Sequence, residues 1–373
     1  LPEAEAAVQE AAKFTGNPGA IHTEGVQAKR ALDSARERIA SLLGVKAREI
    51  IFTAGLTEAN NIAILGTARA HERAKRSLAG THWIVSSIEH TSVLDCFAEI
   101  ERLGGTVVHI DPDERGIIAP EIVATALTKH TVLVSIGWAN NEIGTIQPLS
   151  DISRVIREFN KKHDTAIVLH TDAGQAPLYL ATSLNTLGVD LCSIGGNKLY
   201  GPHGVGVLFV SNRAEVVRTL QGGPQERGFR PGTENVALAL GMATAFETVA
   251  ENREEESRRI KIVRDTLSHL LTEKIAGLVI NGDPKRALPH MLNISIPNIS
   301  SEYVTLSLDQ AGIAVSTKSA CREGEESRSH VVEALGGEQW RSQNTLRLSL
   351  GAETSESDAT KVAQVLQEIV SRV

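Results

Sequence analysis

The sequence predicts an α/β protein: a large domain built on a mostly parallel seven-stranded sheet flanked by helices, plus a smaller α+β domain. Three observations lead there. Short β-rich runs alternate with helix-period segments. Glycine and polar residues follow several apolar runs directly, where an open parallel sheet gathers its ligands. The 373 residues, 42% of them hydrophobic, suggest more than one domain and enough apolar material for a sizeable core.

Strands are expected at 50–53, 83–86, 107–110, 132–136, 167–170, 191–194 and 205–210, each a short apolar run. Helix-period segments lie between several of them, at 28–43, 58–70, 92–103, 120–128 and 149–163. The small-residue stretch 236–250 then leads into a charged run at 251–264, the pattern of a solvated helix face passing between domains. A boundary is expected there: a large domain over 15–250 and a small one over 251–373, joined by residues 1–14. Apolar runs at 278–280, 291–296 and 345–349 supply strands of the second domain, and the charged or small residues 322–328 read as an exposed loop.

Composition excludes several function classes. A net charge of −7 argues against a nucleic-acid-binding surface. No apolar run approaches the roughly 18 residues of a membrane span, so a soluble protein is expected. Three cysteines are too few and too scattered for a disulfide framework or a zinc knuckle, which fits a reducing compartment. Metal-site spacings such as C-x-x-C or H-E-x-x-H are absent, and no metal is expected. Residues 1–15 lack the layout of a signal peptide. A cytoplasmic location is expected, or an organelle if a targeting segment has been removed.

The residues that follow the strands carry the chemistry. After 50–53, Ala54-Gly55-Leu56-Thr57 makes a glycine turn into a helix. That is either a phosphate cradle or a plain threonine cap. Asp172 at the mouth of an apolar strand is a helix cap or a carboxylate facing a buried cation, such as a protonated ring nitrogen. Lys198 sits in a glycine-dense turn between two apolar strands, where a desolvated amine that forms a Schiff base weighs against the usual solvated lysine. His90 and Asn140 follow two further strands. Cys321, in the expected loop, is the cysteine to suspect of reactivity, whereas Cys96 and Cys192 fall within apolar elements. Arg347, within Leu346-Arg347-Leu348, suits a carboxylate if it faces inward.

Taken in order over nearly the whole chain, these segments resemble one family. They are Gly16-Asn17-Pro18, Phe52-Thr53-Ala54-Gly55-Leu56-Thr57-Glu58-Ala59-Asn60-Asn61, Glu89-His90, Asn140-Asn141-Glu142-Ile143-Gly144 and Thr171-Asp172-Ala173-Gly174-Gln175, then Lys198-Leu199-Tyr200-Gly201-Pro202, Arg230-Pro231-Gly232-Thr233-Glu234-Asn235, Ser319-Ala320-Cys321 and Arg347-Leu348-Ser349-Leu350-Gly351. The set looks like the cysteine desulfurases, pyridoxal-phosphate enzymes of fold type I and aminotransferase class V. The Ser-Ala-Cys motif, with Ser329-His330-Val331 eight residues beyond the cysteine, is similar to the long-loop subgroup.

The resemblance implies conversion of L-cysteine to L-alanine, with sulfur passing to an enzyme persulfide that supplies iron–sulfur cluster assembly or RNA thiolation. Lys198 matches the lysine that holds pyridoxal 5'-phosphate, Asp172 the partner of the ring nitrogen, Gln175 that of the ring hydroxyl, and His90 the imidazole stacked on the ring. Asn140 matches an amide near ring and substrate. Leu56, Thr57 and Asn197 fall on the phosphate side, and Thr233 matches a phosphate contact from a second subunit, which implies a homodimer. Arg347 matches the substrate-carboxylate anchor and Cys321 the sulfur acceptor. A sulfur-acceptor protein, such as an iron–sulfur scaffold, is the implied further partner.

Three departures stand out. Gly195-Gly196-Asn197-Lys198 replaces the family's Ser-x-His-Lys, Lys318 places an extra cation before Ser-Ala-Cys, and no Asp-x-Ala-Thr-Thr-like strand precedes Leu1. A selenocysteine lyase shares the motifs, and a catalytically weak scaffold homologue is the alternative that Gly195 and Asn197 raise.

Overall fold

The computed structural model describes residues 1–75, 77–317 and 328–372. Seven strands form one sheet: β1 (Ile50–Thr53), β2 (His82–Ser86), β3 (Thr106–Ile110), β4 (Thr131–Ser135), β5 (Val168–Asp172), β6 (Leu191–Gly195) and β7 (Gly206–Val210). Their spatial order is β1-β7-β6-β5-β4-β2-β3. Only β7 runs against its neighbours; the other pairings are parallel. The mostly parallel seven-stranded sheet expected from the sequence is present. One boundary shift matters: β5 runs on to Asp172, which is its last residue rather than one beyond its end.

Both faces of this sheet are covered, which is why its strands read as continuous apolar runs. Side chains alternate between the faces. Ile50, Phe52, Ile84 and Val134 join one apolar cluster with Leu32, Ile39 and Ile152, from the helices Thr23–Leu43 and Leu149–His163. Ile51, Trp83, Val85 and Leu133 join the other, with Ile62, Ala63, Val93 and Phe97 from the helices Leu56–Lys75 and Thr91–Arg102. Trp83 is fully buried because its indole N–H is satisfied by Thr81 Oγ1 at 2.7 Å.

A single helix, Val236–Lys274, runs 39 residues through position 250 without a break. Asn235 caps it by accepting the Leu238 N–H at 3.0 Å. Its first half is lined with small residues, so the helix Pro2–Ala11 lies close against it. At Gly241 an added Cβ would strike Val8 Cγ2 and come within 3.2 Å of Pro202 Cγ. Its second half buries Ile260, Val263, Leu267 and Leu271 in the neighbourhood of the last helix, Glu356–Ser371. Beyond it β8 (Val279–Ile280), β9 (Met291–Ser295) and β10 (Thr345–Ser349) form a small antiparallel sheet in the order β10-β9-β8. Among the described residues no helix is long and apolar enough to cross a membrane.

One buried polar group inside the large sheet sets an expected pH response. His170 is fully buried, with Nδ1 2.8 Å from Ser135 Oγ and Nε2 3.2 Å from Ser193 Oγ. Burial pushes its pKa down from 6.5 to about 3. A depressed histidine stabilises the fold above its unfolded value and loses that contribution as pH falls toward its folded value. Unfolding free energy is therefore expected to drop by on the order of 4 kcal/mol between pH 6.5 and pH 3 from this group. Urea titrations of His170→Gln over that window should show a flatter curve than wild type. Parallel curves for the two proteins would contradict this.

Candidate active site

β1, β2, β4, β5 and β6 run in the same direction, so their carboxyl ends open on one edge of the sheet. A cavity of about 1220 Å³ lies there. Gly55, Leu56 and Thr57 enter it after β1, Glu89 and His90 after β2, Gly137 and Asn140 after β4, Asp172 and Gln175 at β5, and Asn197 and Lys198 after β6. Met291 and Arg347 of the small sheet complete the wall. Nine of the residues singled out in the sequence thus share one cavity: Leu56, Thr57, His90, Asn140, Asp172, Gln175, Asn197, Lys198 and Arg347. Thr233 is exposed and is not part of that lining. Cys321, Lys318 and the rest of 318–327 lie outside the described residues.

The Asp172 carboxyl is held by two donors, Asn60 Nδ2 on Oδ2 at 2.7 Å and the Gly174 N–H on Oδ1 at 2.8 Å. Burial raises its pKa all the same, and the nearby His90 and Lys198 only partly offset that. His90 caps the helix Thr91–Arg102: its Nδ1 accepts the Ser92 N–H at 3.1 Å. Burial keeps His90 below the ordinary histidine value. Lys198 projects from the short 3₁₀ turn Gly196–Leu199. Of the two readings the sequence leaves open, the exposed amine is the one found: Lys198 is exposed, because its turn delivers the side chain into a wide cavity rather than between the strands.

Asn140 is committed to its own turn. Its Oδ1 accepts from the N–H groups of Glu142 and Ile143, and its Nδ2 donates to Ile88 O at 2.8 Å. Arg347 is half-buried. It donates to Asn141 O at 3.1 Å, and its buried Nε has no partner, so the guanidinium retains capacity for an anion.

Glu89 is a site group to which sequence reasoning assigns no role. It is buried beside Asp172, accepts the Gly137 N–H at 2.8 Å, and burial pushes its pKa up to about 8. A raised carboxyl contributes stability below its unfolded value, and that contribution is lost as pH rises toward the folded value. Glu89→Gln is therefore expected to flatten the stability curve between pH 4.5 and pH 8, measured by denaturant titration. A slope unchanged by the substitution would refute it.

Structure also supplies a reason for Gly195. A Cβ there would stand 3.2 Å from Leu56 Cβ and 3.1 Å from Asn197 Oδ1, and one at Gly174 would stand 2.5 Å from Leu56 Cδ2. Leu56 thus occupies the space that a side chain at either glycine would need. Gly174→Ala is expected to cost about 1–3 kcal/mol of stability through overpacking, and Leu56→Ala in the same chain, which removes the Cδ2 it would strike, should recover most of it. A double-mutant cycle of thermal unfolding measures this; additive losses would exclude the packing account.

The described residues on either side of 318–327 are hydrogen-bonded to residues at or beside the cavity wall. Before it, Ser316 exchanges backbone hydrogen bonds with Arg347 at 2.7 and 3.1 Å. After it, Ser329 Oγ donates to the buried Glu142 carboxylate at 2.5 Å, and His330 Nε2 lies 3.0 Å from Glu89 O. Cys96 and Cys192 are both buried, and burial pushes the Cys96 thiol up to about 12, so neither is primed as a nucleophile.

Comparison with known proteins adds the following. A sequence profile described as aminotransferase class-V matches residues 4–362. The cysteine desulfurase IscS of Dictyoglomus turgidum is 37% identical over 358 residues, covering 96% of this chain and 88% of that one. A solved structure of a NifS-like protein superposes with a TM-score of 0.90 at 32% identity, covering 100% of this chain and 96% of the other. Another, described as SspA in complex with cysteine, gives 0.80 at 30% identity, covering 95% and 96%.

Proposed function

That the chain belongs to the class-V aminotransferase family, and is a pyridoxal-phosphate-dependent cysteine desulfurase, is the premise from which we propose how its residues divide the work. The observation that carries the proposal is the convergence of Lys198, Asp172, His90 and Arg347 on one cavity, with Ser316 and His330, which flank the segment bearing Cys321 in sequence, hydrogen-bonded to its lining residues Arg347 and Glu89.

The residues fit the cofactor. Asp172 is a carboxyl whose burial demands a cationic partner, and among the described residues its oxygens accept only from neutral amides. A protonated ring nitrogen meets that demand. The first-turn N–H groups of the helix Leu56–Lys75 face the same cavity and suit a phosphate, with Thr57 and Asn197 beside them. Lys198 supplies the amine that holds the aldehyde, and Gln175 stands next to Asp172 for the ring hydroxyl. Pyridoxal phosphate, when bound, supplies an electron sink that makes the substrate Cα–H bond acidic.

The chain's own groups do the rest. Arg347 binds the substrate carboxylate through its free guanidinium capacity. Lys198 Nζ, exposed in the cavity, takes the Cα proton and returns it to the product. His90 lies over the site and holds a proton at its ring. The Cys321 thiolate attacks the substrate sulfur: the S–S bond forms as the substrate Cβ–S bond breaks, the bonding pair stays with Cβ and takes up a proton, and a persulfide on Cys321 and alanine in the cavity result. An acceptor protein then takes the sulfur for iron–sulfur cluster assembly or RNA thiolation. The exposure of Thr233 away from its own cavity supports a homodimer in which it reaches the partner's phosphate site. The domain division at residue 250 is retained as a proposal, with the long helix Val236–Lys274 as the shared element.

The test is an anaerobic assay of the purified protein with added pyridoxal phosphate, following alanine and sulfide from L-cysteine. Alanine and sulfide in equal amounts are expected in the presence of a reductant, with Cys321→Ser losing sulfide. Turnover restricted to selenocysteine would move the assignment to a selenocysteine lyase. Bound cofactor with no turnover of either would leave a scaffold homologue.

A further inference from the structure

Asn60 and Ser92 are buried polar residues on two neighbouring helices, and neither has a part in the reaction as described above. Asn60 is wholly shielded from solvent. Its Nδ2 donates to Asp172 Oδ2 at 2.7 Å and to Ser92 Oγ at 2.9 Å. Ser92 Oγ in turn lies 2.9 Å from His90 Nδ1, which also accepts the Ser92 N–H at 3.1 Å. The four side chains form one chain of hydrogen bonds from the Asp172 carboxylate to the His90 ring.

We infer that Asn60 and Ser92 are positioning residues that hold His90 in the tautomer with its proton on Nε2, and that they tie this tautomer to the charge on Asp172.

Donor counting fixes the direction of the chain. Both amide hydrogens of Asn60 are spent, one on Asp172 and one on Ser92. Ser92 Oγ is thus an acceptor toward Asn60, and its single proton is left for His90 Nδ1. A ring nitrogen that receives two donors carries no proton of its own. His90 therefore bears its proton on Nε2, and as a neutral ring it donates at that nitrogen and does not act as a base there. Proton removal from substrate is left to Lys198.

The link to Asp172 comes from the amide. Asn60 Oδ1 is buried without a partner, so the amide satisfies the carboxylate at the expense of its own oxygen. Turned over, it would set Oδ1 against Asp172 Oδ2, which is tolerable only if that carboxyl is protonated. In that state Oδ1 would also accept the Ser92 hydroxyl proton and withdraw it from His90. An ionised Asp172, the form that partners a ring cation, is thus the form that keeps Ser92 donating to His90. The charged and titratable groups that bear on His90 are Asp172 and Glu142, which favour its protonation, and Lys198 and His330, which oppose it. None of these supplies the two donors on Nδ1.

The inference rests on the reading of His90 and Asp172 as cofactor-side groups, and its test separates the two. Long-range proton–nitrogen NMR spectra of 15N-histidine-labelled protein, with and without pyridoxal phosphate, report the His90 tautomer across a pH series. The His90 signals are identified by their loss in His90→Gln. Wild type is expected to show the Nε2–H pattern. Ser92→Ala should raise the His90 titration midpoint by about one unit and weaken the Nε2–H preference, which the backbone N–H of residue 92 would then hold alone, and Ser92→Thr, which keeps the hydroxyl, should restore the wild-type pattern. Asn60→Ala should do the same as Ser92→Ala and also shift the pH midpoint of the bound cofactor's absorbance. A proton on Nδ1 in wild type would overturn the inference, as would identical His90 spectra in Ser92→Ala and Ser92→Thr. Failure to load cofactor counts against the functional reading alone, because the spectra without cofactor still report the tautomer.

Discussion

Lys198→Ala is expected to eliminate alanine formation, lowering kcat by on the order of a thousandfold or more, and to remove the cofactor's covalent absorbance band. The reasoning is local. Among the described residues Lys198 is the one lysine in the cavity lining, and it is exposed there, so its loss removes an amine without opening a hole in the core. Thermal unfolding of the variant should match wild type within about 0.5 kcal/mol. Those two results together distinguish a chemical role from a structural one. If alanine still forms at a substantial rate, another base carries the proton and the assignment of Lys198 is wrong.

The largest stability effect is expected at a buried ion pair distant in sequence. Arg36 grips Glu226 with two hydrogen bonds of 2.6 and 2.7 Å, at side-chain exposures of 12% and 1%. Arg36 also donates to Ile50 O at 2.8 Å and stacks on Phe52 at 4.9 Å. Glu226 accepts the Phe52 N–H at 2.8 Å. Arg36→Met leaves a buried carboxylate without its counter-ion, which costs about 3–5 kcal/mol and about 5 °C in Tm. Arg36→Met with Glu226→Leu should be milder than Arg36→Met alone, because the orphaned charge is gone. Scanning calorimetry of the two proteins decides this; a single variant as stable as wild type would show the pair to be idle. Glu226 and Arg227 both have positive φ, 46° and 57°, so the pair also holds a strained turn that leads toward the Arg230–Asn235 segment.

Much of this was legible because strands and the residues at their ends follow local rules. Ile50–Thr53 and Leu191–Gly195 announce themselves as short apolar runs, and Gly55 and Lys198 follow them immediately in the chain. Other features depend on three-dimensional partners. Asn60 and Ser92 read as ordinary polar positions of helices, since periodicity does not show that they meet Asp172 and His90 across a helix interface. The Arg36–Glu226 pair joins residues 190 positions apart, beyond any spacing rule. The charged run 251–264 reads as a solvated helix face passing between domains, and Val236–Lys274 does run through it, but composition does not show that the small-residue stretch before it belongs to the same helix. The glycine-dense turn leaves Lys198 open between a solvated and a desolvated amine, and only the width of the cavity shows it exposed.

That unbroken helix has a mechanical consequence. At 1.5 Å per residue it is a beam about 58 Å long. It touches the Gly196–Leu199 turn and β9, the strand paired with the one that carries Arg347. The amine and the guanidinium are mounted on one stiff member. Bending that member would alter the spacing of the two groups, so packing along a helix that reaches far outside the cavity is tied to the geometry within it.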